Sequence, residues 1–547
     1  MFGLFMNIKN YVLKNRNLFI LITVLVFVIL TIGRPYNLLV NDDGIFIRNI
    51  KNFYDGNFSL HPLTAPTFYL QAVIGYITTK IFGFNFEILR MLNVFFAFIT
   101  SILIFILTQK TTKKSNVSLI VTLIFILNPF YWFLSYSYMT EIHFFLFATL
   151  SLLFFYNYLY KSTMQNAIFL SISLGSIFLI RQIGLIFAIS FLFSILLTKK
   201  KLSKNDLIII LFPAITFFWY QSFSKTTEYS EAGIIETLKN FLDFNFMINI
   251  FLKRLYDSSI YYGLFILPII PLFIFNKEFY IKLKNYKNLF FILLLSLPFI
   301  FKTIEKVLNN FTFPTLQNVF TLKGFYTSAI PASDRFVNYP LFYNLHTSLL
   351  ILGLIGFVFF IFILFSSSQQ YKKMNQIQKT IYVASLLNFF VITSLTLAFR
   401  AVYDRYIYLT FFLALIPIAY SIDFKINKIA KITSAILLGC LLVISIIFEK
   451  DYISWNHKRN EIIEYATETY NQGICDLEGT GEWEDYLYYE CKDIQNSLKK
   501  TYRISWQDSD IVEQNKYIKL KTYTFKSYLG KQENKLYLLK KIKDENK

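Results

Sequence analysis

Two adjacent carboxylates, Asp42 and Asp43, follow directly on the first hydrophobic run of this chain, at about 17–33. They stand in Asn41-Asp42-Asp43-Gly44, and two readings fit that string. One is a turn that caps a helix beginning near Ile45. The other is a pair of acid–base groups held at a membrane surface. Further candidates lie far along the chain. Thr140-Glu141-Ile142-His143 opens an apolar run. Thr140 suits a helix cap, and Glu141 is favoured by the helix dipole, yet an acid at a membrane helix end is also a functional candidate. Arg181-Gln182 interrupts the apolar stretch 167–197, either as a bare turn or as a planar fork of donors for an anionic group. Arg400 and Asp404-Arg405-Tyr406 bring two arginines close together, with an internal Asp–Arg pair as the plain alternative. His61, Asp334-Arg335 and the Glu482-Trp483 region read as solvated loop first. The four histidines are scattered without metal-ligand spacing, and there is no Walker-type loop and no GxGxxG. Neither a metal centre nor a nucleotide is therefore expected.

The elements that must position these groups are membrane helices. The 547 residues are 55% hydrophobic and only 16% charged, against about 25% charged in soluble domains, and long apolar runs recur. The fold class expected is an all-α polytopic membrane protein of about thirteen spans. They fall near 17–33, 87–108, 117–134, 141–157, 167–180, 183–198, 207–220, 259–276, 289–301, 347–366, 380–398, 406–421 and 433–448. With a cytoplasmic N-terminus, the inside segments carry 21 Lys and Arg against three acidic residues, Asp206, Glu278 and Asp423. That is the positive-inside pattern, so the net charge of +20 encodes orientation and excludes nucleic acid as a partner. The first run lacks a small-residue cleavage site and is expected to be a retained helix.

The longer loops, 34–86, 221–258 and 302–346, then lie outside with the tail 449–547, so the working face should be the outer one. Within the first loop, 65–82 is apolar but interrupted, and reads as helix lying at the interface. The chain divides into a transmembrane domain, 1–448, and an extracytoplasmic domain, 449–547. The latter begins helically and ends in two alternating segments, 517–525 and 535–542, so a small α+β fold is expected. Cys475 and Cys491 lie where a disulfide is permitted, and Cys440 reads as packing in the last span.

Taken in order, several motifs resemble the GT-C membrane glycosyltransferases of the protein-mannosyltransferase and aminoarabinose-transferase type. They are Asn41-Asp42-Asp43-Gly44, Tyr54-Asp55-Gly56-Asn57-Phe58, Pro66-Thr67-Phe68-Tyr69-Leu70, Ile81-Phe82-Gly83 and Leu89-Arg90. Thr140-Glu141, Leu179-Ile180-Arg181-Gln182-Ile183-Gly184 and Arg405-Tyr406 with Pro417 complete the set. The chain has Asp42-Asp43 where the family has Asp-Glu, and Leu63-Thr64-Ala65-Pro66 lacks the family's basic residue, for which His61, Lys80 or the arginines would have to substitute.

The resemblance implies sugar transfer from a polyprenyl-phosphate donor to a lipid, glycan or protein acceptor at the outer face of the cytoplasmic membrane. It implies a single inverting displacement with Asp42 as general base, and Asp43 and Glu141 orienting acceptor or base. Arg181, Arg405 and Arg400 would meet the donor phosphate, and His61, Tyr69, His143 and Tyr406 are possible substrate contacts. The resemblance assigns no definite cofactor, and assistance by a divalent cation stays open. Cell-envelope glycans, lipopolysaccharide or protein glycosylation would be the setting. The rivals are a transporter or flippase of lipid-linked glycans, which should carry charge at mid-helix and on both faces, and an outer-face glycan polymerase or ligase.

Overall fold

Helix forms along the apolar runs, and the helices surround one whose residues are buried at every position but one. The computed structural model describes residues 15–36, 42–61, 64, 67–199, 202–223, 237, 239–277, 279–280, 286–309, 313–321, 324–325, 340–399, 402–422, 426–478, 501–505, 517–528 and 533–542. The main helices in chain order are α1 (Arg16–Ile32), α2 (Asp43–Tyr54), α3 (Tyr69–Phe82), α4 (Phe86–Thr112), α5 (Ser115–Ile126), α6 (Pro129–Tyr136), α7 (Thr140–Tyr160) and α8 (Met164–Phe178). They continue with α9 (Leu185–Lys199), α10 (Leu211–Phe223), α11 (Leu252–Ile266), α12 (Tyr286–Leu308), α13 (Pro340–Gln370), α14 (Gln376–Ala398), α15 (Asp404–Ser421) and α16 (Lys428–Tyr470). Among the described residues seven helices are long and apolar enough to cross a membrane, or eight if one bent pair is a single span. This is a multi-pass helical membrane protein.

Three elements differ from the sequence expectation. The run 117–134 is two helices, α5 and α6, bent by 64°. Pro129 lacks the amide that would continue the ladder, and Asn128 caps the new helix, its Oδ1 accepting from Phe130 N at 3.1 Å. The helix expected to start near 259 begins at Phe244, passing through a π-helical turn at Met247–Phe251 before α11. Finally, α16 runs unbroken for 43 residues across the expected boundary at 448/449. Lys450, Asp451, Asn456, His457, Lys458 and Arg459 make that part polar without interrupting the helix.

The centre of the molecule is α15, of which every residue but Tyr406 is buried. A helix apolar all round belongs inside a bundle. Tyr408 stacks on Phe125 of α5 at 4.9 Å and donates to the Phe125 carbonyl at 2.6 Å. On its other side α11 and α13 cross almost backbone to backbone: a Cβ built on Gly263 would lie 1.8 Å from the Gly353 carbonyl oxygen. The short helices α2 and α3 pack together between α1 and α4, with Ile47, Ile50, Phe53 and Phe68 in a small core of their own. The C-terminal sheet has strand order β1-β2-β4-β3, made of β1 (Leu477–Glu478), β2 (Tyr502–Ser505), β3 (Tyr517–Lys526) and β4 (Glu533–Lys541). Its two long antiparallel strands match the two alternating segments of the sequence. The sheet is fixed to α16 by Asp451, which accepts from Ser527 Oγ at 2.5 Å and Tyr528 N at 2.9 Å. Cys475 is disulfide-bonded and Cys440 is a free thiol on the exposed side of α16, while Cys491 lies outside the described residues.

Candidate active site

Asp42 occupies the N-cap position of α2, but its side chain makes no capping bond. Its carboxylate instead pairs with the Arg405 guanidinium, 363 residues away in the chain. The cap reading of the first motif therefore fails for Asp42. Its side chain keeps 40% of its accessible surface, whereas Arg405 keeps 4%. Arg405 is the second residue of the buried helix α15, and its guanidinium lies over the rings of Tyr403 and Tyr406 at 5.5 and 5.2 Å. Its Nε is 3.9 Å from Glu141 Oε1.

Glu141, in the first turn of α7, is nearly inaccessible and accepts from Arg181 Nη1 at 2.8 Å. Its second oxygen, Oε2, has no hydrogen-bond partner among the described residues. Thr140 is the first helical residue rather than the cap, which is Met139. Arg181 sits in extended backbone between α8 and α9, and Gly184 makes that turn possible. A Cβ at Gly184 would come within 2.6 Å of the Ile177 and Phe178 backbone. Arg181 also lies 5.1 Å from the Tyr406 ring, so one tyrosine is flanked by both guanidinium groups. All four charges stand at helix ends or at the α8–α9 break, which puts the site at one end of the bundle.

Asp43 turns the other way. Both it and Arg90 of α4 are wholly inaccessible and joined at 2.7 Å, with a second bond from Nε at 3.2 Å. The Arg90 Nη1 donates to the Tyr36 carbonyl at 2.6 Å and the guanidinium covers the Tyr36 ring at 4.1 Å. Asp43 thus anchors the start of α2 and leaves Asp42 facing outward. Asp404 is not paired with its neighbour Arg405; it accepts from the Val319 and Phe320 amides at 3.0 and 2.7 Å.

The remaining candidates are placed unequally. Tyr69 begins α3 beside the Arg181 turn, since the next residue's amide donates to the Leu179 carbonyl at 3.1 Å. It packs edge-on against Trp219 at 4.8 Å. His61 is held by its backbone amide to Asn49 Oδ1 at 2.6 Å, and its ring titrates below the usual range, first through burial and then through the nearby Arg48 charge. His143 is fully buried against Phe96 and Tyr138, with neither ring nitrogen hydrogen-bonded among the described residues, and does not join the charged cluster. Lys80 is occupied by the Tyr54 carbonyl at 3.0 Å and the Tyr54 ring at 4.3 Å. Arg400, Asp334, Arg335, Glu482 and Trp483 lie outside the described residues. The sequence reading gave Arg90 no role of its own. The signal for one was a cation beside the long apolar run of α4, which in a membrane helix marks a paired or functional group.

No family model and no curated protein sequence matches this chain. Among solved structures it is similar to the archaeal oligosaccharyltransferase AglB from Archaeoglobus fulgidus, in complex with an inhibitory peptide and a dolichol-phosphate. There the identity is 13%, with 92% of this chain and 70% of that chain covered and a TM-score of 0.46. It is also similar to ArnT from Cupriavidus metallidurans bound to undecaprenyl phosphate, at 8% identity over 96% of this chain and 98% of that chain, with a TM-score of 0.45. Likenesses this distant carry no weight for function, which rests on the charged cluster itself. Fold and site together define a polytopic membrane protein with two acids and two arginines gathered at one end of its bundle.

Proposed function

We propose that this protein is a membrane glycosyltransferase that moves a sugar from a polyprenyl-phosphate donor to an acceptor at the outer face of the membrane. The observation that carries the proposal is the Asp42–Arg405 pair, an accessible carboxylate beside a buried guanidinium, with Arg181 close by on Glu141. In a single displacement the acceptor oxygen attacks the anomeric carbon as the bond to phosphate breaks. The hydroxyl proton passes to Asp42, and the leaving phosphate gains charge. A fixed cation in a site of low polarity stabilises that charge strongly. Arg405 takes this role, with Arg181 beside it, and Glu141 holds both guanidinium groups in place when no phosphate is present. A donor phosphate offers Arg405 a second anion and so loosens its hold on Asp42, which frees the carboxylate to act as base. Asp43 positions Asp42 through Arg90 rather than touching substrate.

The charges at one end of the bundle support an enzyme over a transporter, whose charges should line a path through it. About thirteen spans, an N-terminus in the cytoplasm and an extracytoplasmic C-terminal domain complete the reading. The test is transfer by the purified protein from a panel of polyprenyl-phosphate sugars. Asp42→Asn is expected to abolish transfer while leaving donor binding within about threefold. An Asp42→Asn protein with full activity removes Asp42 as the base.

A further inference from the structure

Arg405 is a buried guanidinium whose three nitrogens face different groups. Its Nη2 pairs with Asp42. Its Nε has no hydrogen-bond partner among the described residues, with Glu141 Oε1 3.9 Å away. Its Nη1 donates to the thioether sulfur of Met139 at 3.4 Å, and both side chains are nearly inaccessible. Thioether sulfur is a weak acceptor, so this donor is only lightly held.

The turn between α6 and α7 sets where that sulfur lies. Asn93 Nδ2 of α4 donates to the Leu134 and Ser137 carbonyls at 2.8 and 2.5 Å. Gln71 Nε2 of α3 donates to the Tyr138 and Met139 carbonyls at 3.3 and 3.4 Å. The Tyr138 amide donates to Asp43 Oδ2 of α2 at 3.5 Å. One turn thus touches both halves of the charged pair: it meets Asp43, the neighbour of Asp42, and it carries Met139 to Arg405. Its backbone is held by side chains from three other helices. The unbranched Met139 side chain, with three rotatable bonds, is the part that can yield.

We propose that Met139 is a positioning residue that keeps Arg405 Nη1 on a weak, displaceable acceptor, so that a donor phosphate oxygen takes that nitrogen over. This rests on the transferase reading above. A guanidinium in the interior loses its hydration, and donors left without any acceptor are destabilising. An amide or carboxylate oxygen at this place would satisfy Nη1 so well that the phosphate had to compete with it. An aliphatic side chain would leave Nη1 with nothing. A thioether holds the guanidinium in its aim and gives way to an anionic oxygen, which bonds it far more strongly. Met139 touches no substrate in this scheme and acts through Arg405.

The test replaces the sulfur in two directions and reads binding of farnesyl phosphate to the purified full chain in detergent. Met139→Gln brings a strong neutral acceptor on a side chain of similar length and is expected to weaken binding by about tenfold. Met139→Leu has similar volume and no acceptor, and is expected to tighten binding by about threefold, because the phosphate then displaces nothing. In the transfer assay the same split should appear in the donor KM, with the acceptor KM unaltered. A side chain that only fills space would shift both variants the same way or neither. If the parent binds and the two variants bind equally well, or both bind more weakly, the role of Met139 is overturned and the transferase reading stands. If the parent binds no farnesyl phosphate, both are overturned. Should Met139→Gln not fold, Met139→Leu decides alone: tighter binding supports the proposal, and unchanged or weaker binding overturns it.

Discussion

The two neighbouring aspartates do different work because they face opposite ways. Asp43 and Arg90 are both fully desolvated, and each is the other's counterion. Removing one partner strands a buried charge, which typically costs about 3–5 kcal/mol. Arg90→Met is therefore expected to lower stability by that order, read from thermal unfolding in detergent. The Asp43→Leu, Arg90→Met double variant should recover part of the loss, because no charge is then left alone. A pH effect belongs to His61. Burial, and then Arg48, keep its ring below the ordinary 6.5 in the folded protein. Above that pH the ring is neutral in both states and contributes nothing. As pH falls below it the unfolded chain takes up the proton first, so stability declines until the folded ring also protonates. The drop in melting temperature from about pH 7.5 to about pH 5.5 should be smaller in His61→Gln than in the parent.

At the scale of elements, the site is held from behind by α16. Tyr452 of α16 meets Tyr36 edge-on at 5.6 Å, and Tyr36 carries Arg90 on its ring, so one arm of contacts ends at Asp43. In a second arm Phe448 packs on Phe325 at 5.2 Å and Phe325 on Phe320 at 4.7 Å, whose amide holds Asp404 beside Arg405. Both sides of the Asp42–Arg405 pair thus lean on the same helix. Helices α11 and α13 cross in close contact, where Gly263 faces Gly353 and Gly356 with backbone between them. Backbone cannot yield as a side-chain tip can. Gly263→Ala is expected to cost about 1–3 kcal/mol by overpacking, read as a lower melting temperature. Gly439→Ala, where a Cβ meets nothing within 4 Å, should leave it unchanged.

For the whole molecule, the charge pattern of the loops sets which way the bundle faces. Lys535 is exposed on the C-terminal sheet. In a Cys440→Ser background, Lys535→Cys should react with a membrane-impermeant maleimide added to intact cells; protection there would reverse the orientation. Membrane class, the two long tail strands and the helix-end positions of Asp42, Glu141, Arg181 and Arg405 were legible in the sequence. Each follows from hydropathy period or from punctuation by a charge, which are local properties. The bend at Asn128-Pro129 was missed, because the long apolar run 117–134 reads as a single span.

What the sequence could not decide was pairing. Nothing local says that Asp42 meets a guanidinium 363 residues later while Asp43, its neighbour, meets Arg90 in the interior. Nor does the sequence show that His143 turns away from Glu141, two residues earlier, or that Met139 meets Arg405. Composition and periodicity determine which segments leave water, because that depends on each residue's own transfer free energy. Which charges then neutralise one another is decided by helix packing, because a buried charge must find whichever partner the fold brings within reach.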